Sequence, residues 1–302
     1  MNVFITGGTG FVGRTLTGSL IQKGYSAYVL TRNPAKRSLF QGVSVVEGDP
    51  TKSGPWQEIV KECDAVFNLA GSSIFGRWTQ ANKQNILDSR ISTTRNIVDA
   101  LSQKNPSDTH LLNASAIGYY GYHQDEILDE SEPPGTDFLA SVAEQWESEA
   151  RKAEAFGARV VLCRFGIILG QKGGALEKFL PLFKYGLGSR LGRGKQWFSW
   201  IHEQDLANIL LHLLSTEDFK GPVNCTAPHP VRNREMTDIL GSVLKRPTVL
   251  PPVPGFILKV ALGEFAENLL NGQRVVPAKL AARSFRFLYP DIRKALENLL
   301  LE

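Results

Sequence analysis

Short apolar runs alternating with long helical patterns, a glycine-rich turn directly after the first run, and a change of texture after about Gly170 predict an α/β fold: a doubly wound parallel sheet with a smaller C-terminal lobe. The 302 residues, 42% of them hydrophobic, are enough for one large α/β unit or a main domain with a lesser one. The expected division is a dinucleotide-binding domain over 1–170, with possible returns near 196–228, and a substrate lobe over 171–302.

Val3 to Thr6 is an apolar run that stops at the turn, and Phe11 to Lys23 carries Phe11, Val12, Leu16 and Leu20 at helical spacing before Gly24. Further strand-type runs are Ala27 to Thr31, Val43 to Val46, Ala65 to Ala70, His110 to Ser115 and Arg159 to Phe165. Helical patterns lie between several of them, at Trp56 to Cys63, Thr79 to Lys104 and Phe138 to Phe156. Strands buried on both faces by such crossovers belong to a parallel sheet. Past Gly170 the pairs Gly173-Gly174, Gly186/Gly188 and Gly192/Gly194 break the chain into loops. A proline-rich piece at Pro247, Pro251, Pro252 and Pro254 then leads to helical stretches ending with Asp291 to Leu301.

Other function classes are set aside by composition. The 34 Lys and Arg against 30 Asp and Glu are scattered, so no surface for nucleic acid is expected. Cys63, Cys163 and Cys225 are far apart without a CxxC pair, and His110, His123, His202, His212 and His229 have no metal-ligand spacing, so neither disulfides nor a metal site is expected. No run reaches the roughly 18 apolar residues of a membrane span, and no signal-peptide pattern opens the chain, which points to a cytoplasmic protein with no membrane partner. Polar content in the long helical patterns leaves monomer and homodimer equally open.

Thr6-Gly7-Gly8-Thr9-Gly10-Phe11-Val12-Gly13 places Gly7, Gly10 and Gly13 between a strand and a helix, the order in which backbone and helix N-terminus receive a pyrophosphate. The second strand ends in Thr31-Arg32 rather than in an acidic residue, so Arg32 offers a fork, and Thr31 a hydroxyl, to a 2′-phosphate. NADP(H) is therefore the expected cofactor.

Together with Asn68-Leu69-Ala70-Gly71, Asn113 to Gly121, Arg164 to Gly170 and Trp200 to Leu206, this Rossmann-type opening resembles the extended and atypical short-chain dehydrogenases/reductases. Asn271 to Leu280 with Phe285 to Asp291 looks like the C-terminal domain, from about residue 248, of the branch called the epimerase family, which has human and bacterial members. The resemblance implies that Leu69, Ala70 and Gly71 lie along the adenine and ribose. It also implies that Ser115 stands on the catalytic segment and that backbone near Ile167 meets the carboxamide.

Two departures from the pattern matter. The family's acid/base is a Tyr with Lys four residues later, and no Tyr here has that Lys. In the corresponding helix, aligned on sequence, Phe138 stands for Tyr and Val142 for Lys. On the preceding helix Arg90 replaces a relay Asn and is assigned to cofactor contact, with Asn85 as a further polar contact. The proton donors left near the expected nicotinamide are Ser115, Tyr119 and Tyr120, adjacent aromatics that could equally be packing groups.

His202 reads as a loop-ordering group. Trp197, Phe198 and Trp200, following Arg193 and Lys195, could line a substrate cleft or simply pack. The acidic run Asp125, Glu126, Asp129, Glu130 and Glu132 reads as a solvated loop. The leading expectation is an NADP(H)-dependent oxidoreductase acting on an unidentified small molecule. The alternatives are an NADP(H)-binding sensor or scaffold without catalysis, and a nucleotide-sugar epimerase.

Overall fold

The computed structural model describes residues 1–34, 42–104 and 109–301. Seven parallel strands form the central sheet: β1 (Asn2–Thr6), β2 (Ser26–Thr31), β3 (Val43–Glu47), β4 (Ala65–Asn68), β5 (His110–Ala116), β6 (Arg159–Phe165) and β7 (Gly221–Cys225), in the order β7-β6-β5-β4-β1-β2-β3. The chain winds outward one way through β3 and then returns to begin β4 beside β1, which opens a crevice at the carboxyl ends of those two strands. This is the doubly wound, Rossmann-type sheet. Its far edge strand comes from residues 221–225, pairing Val223 with Cys163.

Strand periodicity divides the core between the two faces of the sheet. Val3 and Ile5 point one way, onto Leu16 and Leu20 of helix α1 (Phe11–Gln22), while Phe4 points the other way and stacks on Trp56 of α2 (Trp56–Glu62) at 5.9 Å. The second face is closed by α3 (Gln80–Ser102) and α4 (Phe138–Arg151). Their starts are fixed by side-chain caps: Thr79 accepts from the Asn82 amide, and Asp137 from those of Leu139 and Ala140. Such a cap contributes about 1 kcal/mol.

Beyond β6 come α5 (Leu176–Lys184), α6 (Glu203–Ser215), α7 (Asn233–Val243), α8 (Gly255–Leu262), α9 (Ala266–Leu270), α10 (Ala278–Ala282) and α11 (Ile292–Leu301), with small strand pairs between them. Residues 167–170 lie between 200–202 and 173–174, and 274–275 run parallel to 127–128.

The acidic run is not a purely solvated loop. Glu130 is buried and accepts from the backbone amides of Asn224 and Lys279, tying the loop to β7 and α10. Asp125 pairs with Arg232 and accepts from the Trp197 indole. His202, 3% exposed, takes the amide of Gln204 on Nδ1 at the start of α6, faces Asn298 with Nε2, and stacks on Tyr289 at 4.0 Å. Burial lowers its pKa to about 4, so the ring is neutral and structural. Among the described residues no helix is long and apolar enough to cross a membrane, and no group of three or more His, Cys, Asp or Glu is placed to hold a metal ion.

Candidate functional site

The crevice floor is a polar lattice at the strand ends. Thr6 donates to Asn68 Oδ1 at 2.7 Å, and Asn68 Nδ2 reaches Thr94 on α3 and Asn113 on β5. The Trp146 indole donates to the same Thr94 hydroxyl at 2.9 Å, which fixes the ring as part of the wall.

Above that floor the glycine turn approaches β4 closely. Gly7 holds a φ of +69°, and a Cβ on Gly13 would stand 2.3 Å from the Gly7 carbonyl, so neither position has room for a side chain. Gly10 opens α1 without a side-chain cap, and the first-turn amides therefore remain for an anion. Val12, Leu69 and Gly71 line a cavity of about 270 Å³ that opens here. Phe11 turns its ring onto Gly170 and Gly173 instead, so only its backbone belongs to the turn's anion-binding face. Ala70 offers backbone at the crevice, its amide held by the Thr6 hydroxyl.

Arg90 reaches into this cavity from α3. Its guanidinium lies over the Trp146 ring at 5.1 Å and donates to the carbonyls of Ser72 and Ile86. Burial lowers its pKa to about 10, which leaves it charged at neutral pH. No carboxylate pairs with it among the described residues, so its charge faces the cavity without a counter-ion. The backbone cradle, the uncapped helix and this cation fit a dinucleotide. Asn85 does not join them: its side chain is exposed, and only its carbonyl is engaged, by Ser72.

At the end of β2, Thr31 closes a turn with the Asn33 amide. Arg32 is exposed and makes no hydrogen bond or ion pair among the described residues. Across the crevice, the amide of Ile167 donates to the Ser199 carbonyl at 2.9 Å and that of Gly166 to Cys225. The Ile167 side chain lines a second chamber, while its N–H is not available to a ligand.

The proton-donor candidates fare differently. Ser115 lines the first cavity, and its hydroxyl donates to Glu147 at 2.7 Å. Glu147 is held in turn by a two-pronged contact from Arg164, both prongs at 2.8 Å, in a pair whose side chains are 2–3% exposed. Burial pulls the Arg164 pKa down, but Glu147 and then Tyr120 hold it above the usual arginine range. Tyr120 must be removed from the candidates. It is fully buried, donates to Asn224 Oδ1 at 2.7 Å and accepts from Arg164, and burial pushes its pKa up to about 12. Tyr119 lies face-on to the Arg164 guanidinium at 3.5 Å and lines neither chamber.

The helix that carries the acid/base elsewhere in this resemblance presents Leu139, Val142, Ala143 and Trp146 to the first cavity. Of the two positions that stand for the Tyr and Lys, Val142 faces the cavity while Phe138 packs on Trp78 at 5.0 Å, and Leu139 and Ala143 face the cavity beside Val142. None of these residues can move a proton.

Through Ala116, Leu139, Phe165 and Gly166 the first cavity adjoins the second chamber, of about 340 Å³, which reaches the C-terminal lobe. Trp197 and Phe198 line it, with Phe75, Phe179 and Phe265. The tyrosine facing it is Tyr122, absent from the sequence reading. Its hydroxyl donates to Asn268 Oδ1 at 3.0 Å, and burial, then Asp137 and Glu267, raise its pKa and keep it protonated. The local signal for it is Gly121, whose φ of +71° ends the 3-10 turn Ile117–Tyr120 and redirects the chain so that Tyr120 and Tyr122 face different surroundings.

With this geometry the chain can be set beside known proteins. It is 41% identical to the chloroplastic epimerase family protein SDR39U1 homolog of Arabidopsis thaliana, over 99% of this chain and 87% of that one. It is 40% identical to the epimerase family protein YfhF of Bacillus subtilis, covering 100% and 99%. The crystal structure of human epimerase family protein SDR39U1 (isoform 2) with NADPH superposes with a TM-score of 0.87 over the full length of both chains, at 30% identity. Residues 253–299 match a domain of unknown function, DUF1731. Residues 3–225, from the first strand through β7, match the NAD dependent epimerase/dehydratase family, and the chain belongs to that family.

Proposed function

We propose that this protein is an NADP(H)-dependent oxidoreductase acting on a small molecule held between the sheet and the C-terminal lobe. The observation that carries the reading is the continuity of the two chambers. The first fits a dinucleotide, and the second, about 340 Å³, lies within the range of small-ligand sites. The human relative's NADPH and the cation at Arg32 support the phosphorylated dinucleotide.

The cofactor supplies the hydride. The chain's own residues do the rest: the glycine turn and α1 bind pyrophosphate, Arg32 the 2′-phosphate and Arg90 the inner ribose and phosphates. Ser115, its proton directed to Glu147, presents oxygen lone pairs to the cavity. Tyr122 holds a proton in the substrate chamber and is the donor for a substrate oxygen.

Titration with NADPH and NADH, followed by NADPH consumption at 340 nm with small carbonyl compounds, tests this reading. NADPH is expected to bind at least tenfold tighter than NADH, and Arg32→Ala to remove the difference. Tyr122→Phe is expected to lower kcat about a hundredfold without changing NADPH affinity. NADPH binding without oxidation by any acceptor overturns the oxidoreductase. It favours the non-catalytic sensor, a reading supported by the apolar wall of Leu139, Val142, Ala143 and Trp146.

A further inference from the structure

The proposed function leaves the substrate unnamed, but the second chamber constrains it. A nucleotide sugar brings a pyrophosphate, whose charges must be met by cations or by several free donors when it leaves water. No Lys, Arg or His lines this chamber among the described residues, and its one charged side chain is the carboxylate of Asp137, which caps α4. Arg232 is paired with Asp125, and Arg232 and Arg274 both lie against Trp197 without lining the chamber.

Three of its amide side chains are committed through their donors, and Asn233 accepts from the Leu191 amide on Oδ1. Gln196 Nε2 donates to the carbonyls of Leu191 and Leu269, Asn271 Nδ2 to Glu267, and Gln273 Nε2 to Ile117. Asn268 differs. Its Oδ1 receives the Tyr122 hydroxyl, while its Nδ2 is buried with no hydrogen-bond partner among the described residues. A buried donor without a partner is costly and recurs where a ligand completes the bond.

We infer that the substrate is an uncharged, mainly apolar molecule with a hydrogen-bond acceptor, such as a carbonyl, that receives Asn268 Nδ2, and that it is not a nucleotide sugar. Phe75, Phe179, Trp197 and Phe265 take its apolar body. The inference rests on the second chamber being the substrate site of the proposed oxidoreductase.

The test uses full-length protein loaded with NADP+, so that no reduction occurs, titrated by calorimetry with 4-phenylcyclohexanone and separately with UDP-glucose. Cofactor loading is measured first. The ketone is expected to bind with a Kd below about 1 mM and UDP-glucose to give no binding at the same concentration. Asn268→Asp, which keeps the acceptor for Tyr122 and removes the donor, is expected to weaken the ketone at least tenfold with NADP+ affinity unchanged. Phe75→Ala, at a side chain 45% exposed and therefore safe for folding, is expected to weaken it severalfold.

UDP-glucose binding as tightly as the ketone overturns the inference, as does a ketone affinity that neither variant moves. NADP+ binding with no ketone binding sinks the substrate class alone. Failure to bind NADP+ brings down the proposed function and the inference with it.

Discussion

The two ends of the cleft are built in opposite ways. The glycine-turn end is mostly backbone from one continuous stretch, residues 6–13, with Arg90 entering its cavity and Arg32 exposed at the end of β2. The far end is made of side chains from segments around 75, 122, 179, 197 and 265–273 that meet only in the folded chain. Backbone recognition tolerates almost no change in a few glycines. A surface assembled from side chains can change its ligand by single substitutions and still keep its frame.

The largest expected effect strikes the support beneath both ends. Arg164→Met leaves Glu147 buried without its partner and is expected to cost about 3–5 kcal/mol in urea unfolding, with the Glu147→Met/Arg164→Met double variant recovering much of it. An effect below 1 kcal/mol would mean that the Ser115 position does not depend on this pair. Next is Gly13→Ala. The added methyl meets the Gly7 carbonyl and is expected to cost about 2–3 kcal/mol and to remove measurable NADPH binding. Retained NADPH affinity would show that the turn is less rigid than the contrast requires.

The smallest concerns the lobe junction. His202 has its pKa held near 4 when folded, against about 6.5 when unfolded, so the unfolded chain binds more protons between those values. Its contribution is complete well above pH 6.5 and is lost as the pH falls toward 4, an expected decline of about 2 kcal/mol by pH 5. His202→Asn keeps a cap for α6 and removes the titration, so its urea midpoint is expected to fall less over the same range. Parallel curves for the two proteins would assign the acid sensitivity elsewhere.

Legibility in the sequence follows the same division. Gly7, Gly10 and Gly13 between an apolar run and a helical pattern announce the turn, because local geometry alone demands those residues. Arg32 is read from its place at the end of β2. Tyr119 and Tyr120 directly follow the strand, and of the two roles open to them the fold gives packing: the 3-10 turn carries Tyr120 into the core and places Tyr119 beside Arg164, while Tyr122 beyond Gly121 faces the chamber. Asn85 failed for a related reason, since five residues before Arg90 a helix has turned far enough to present another face. Glu130 looked solvated because its partners, Asn224 and Lys279, are more than 90 residues away.

The doubly wound sheet, the dinucleotide turn and the lack of a Tyr/Lys pair are legible along the chain, because all are properties of neighbouring residues or of period. Which hydroxyl faces the chamber, and that among the described residues Arg90 enters its cavity without a carboxylate and no cation lines the far end, emerge only from the folded chain. These depend on which distant segments desolvate one another, and burial and pairing of that kind leave no periodic mark along a chain.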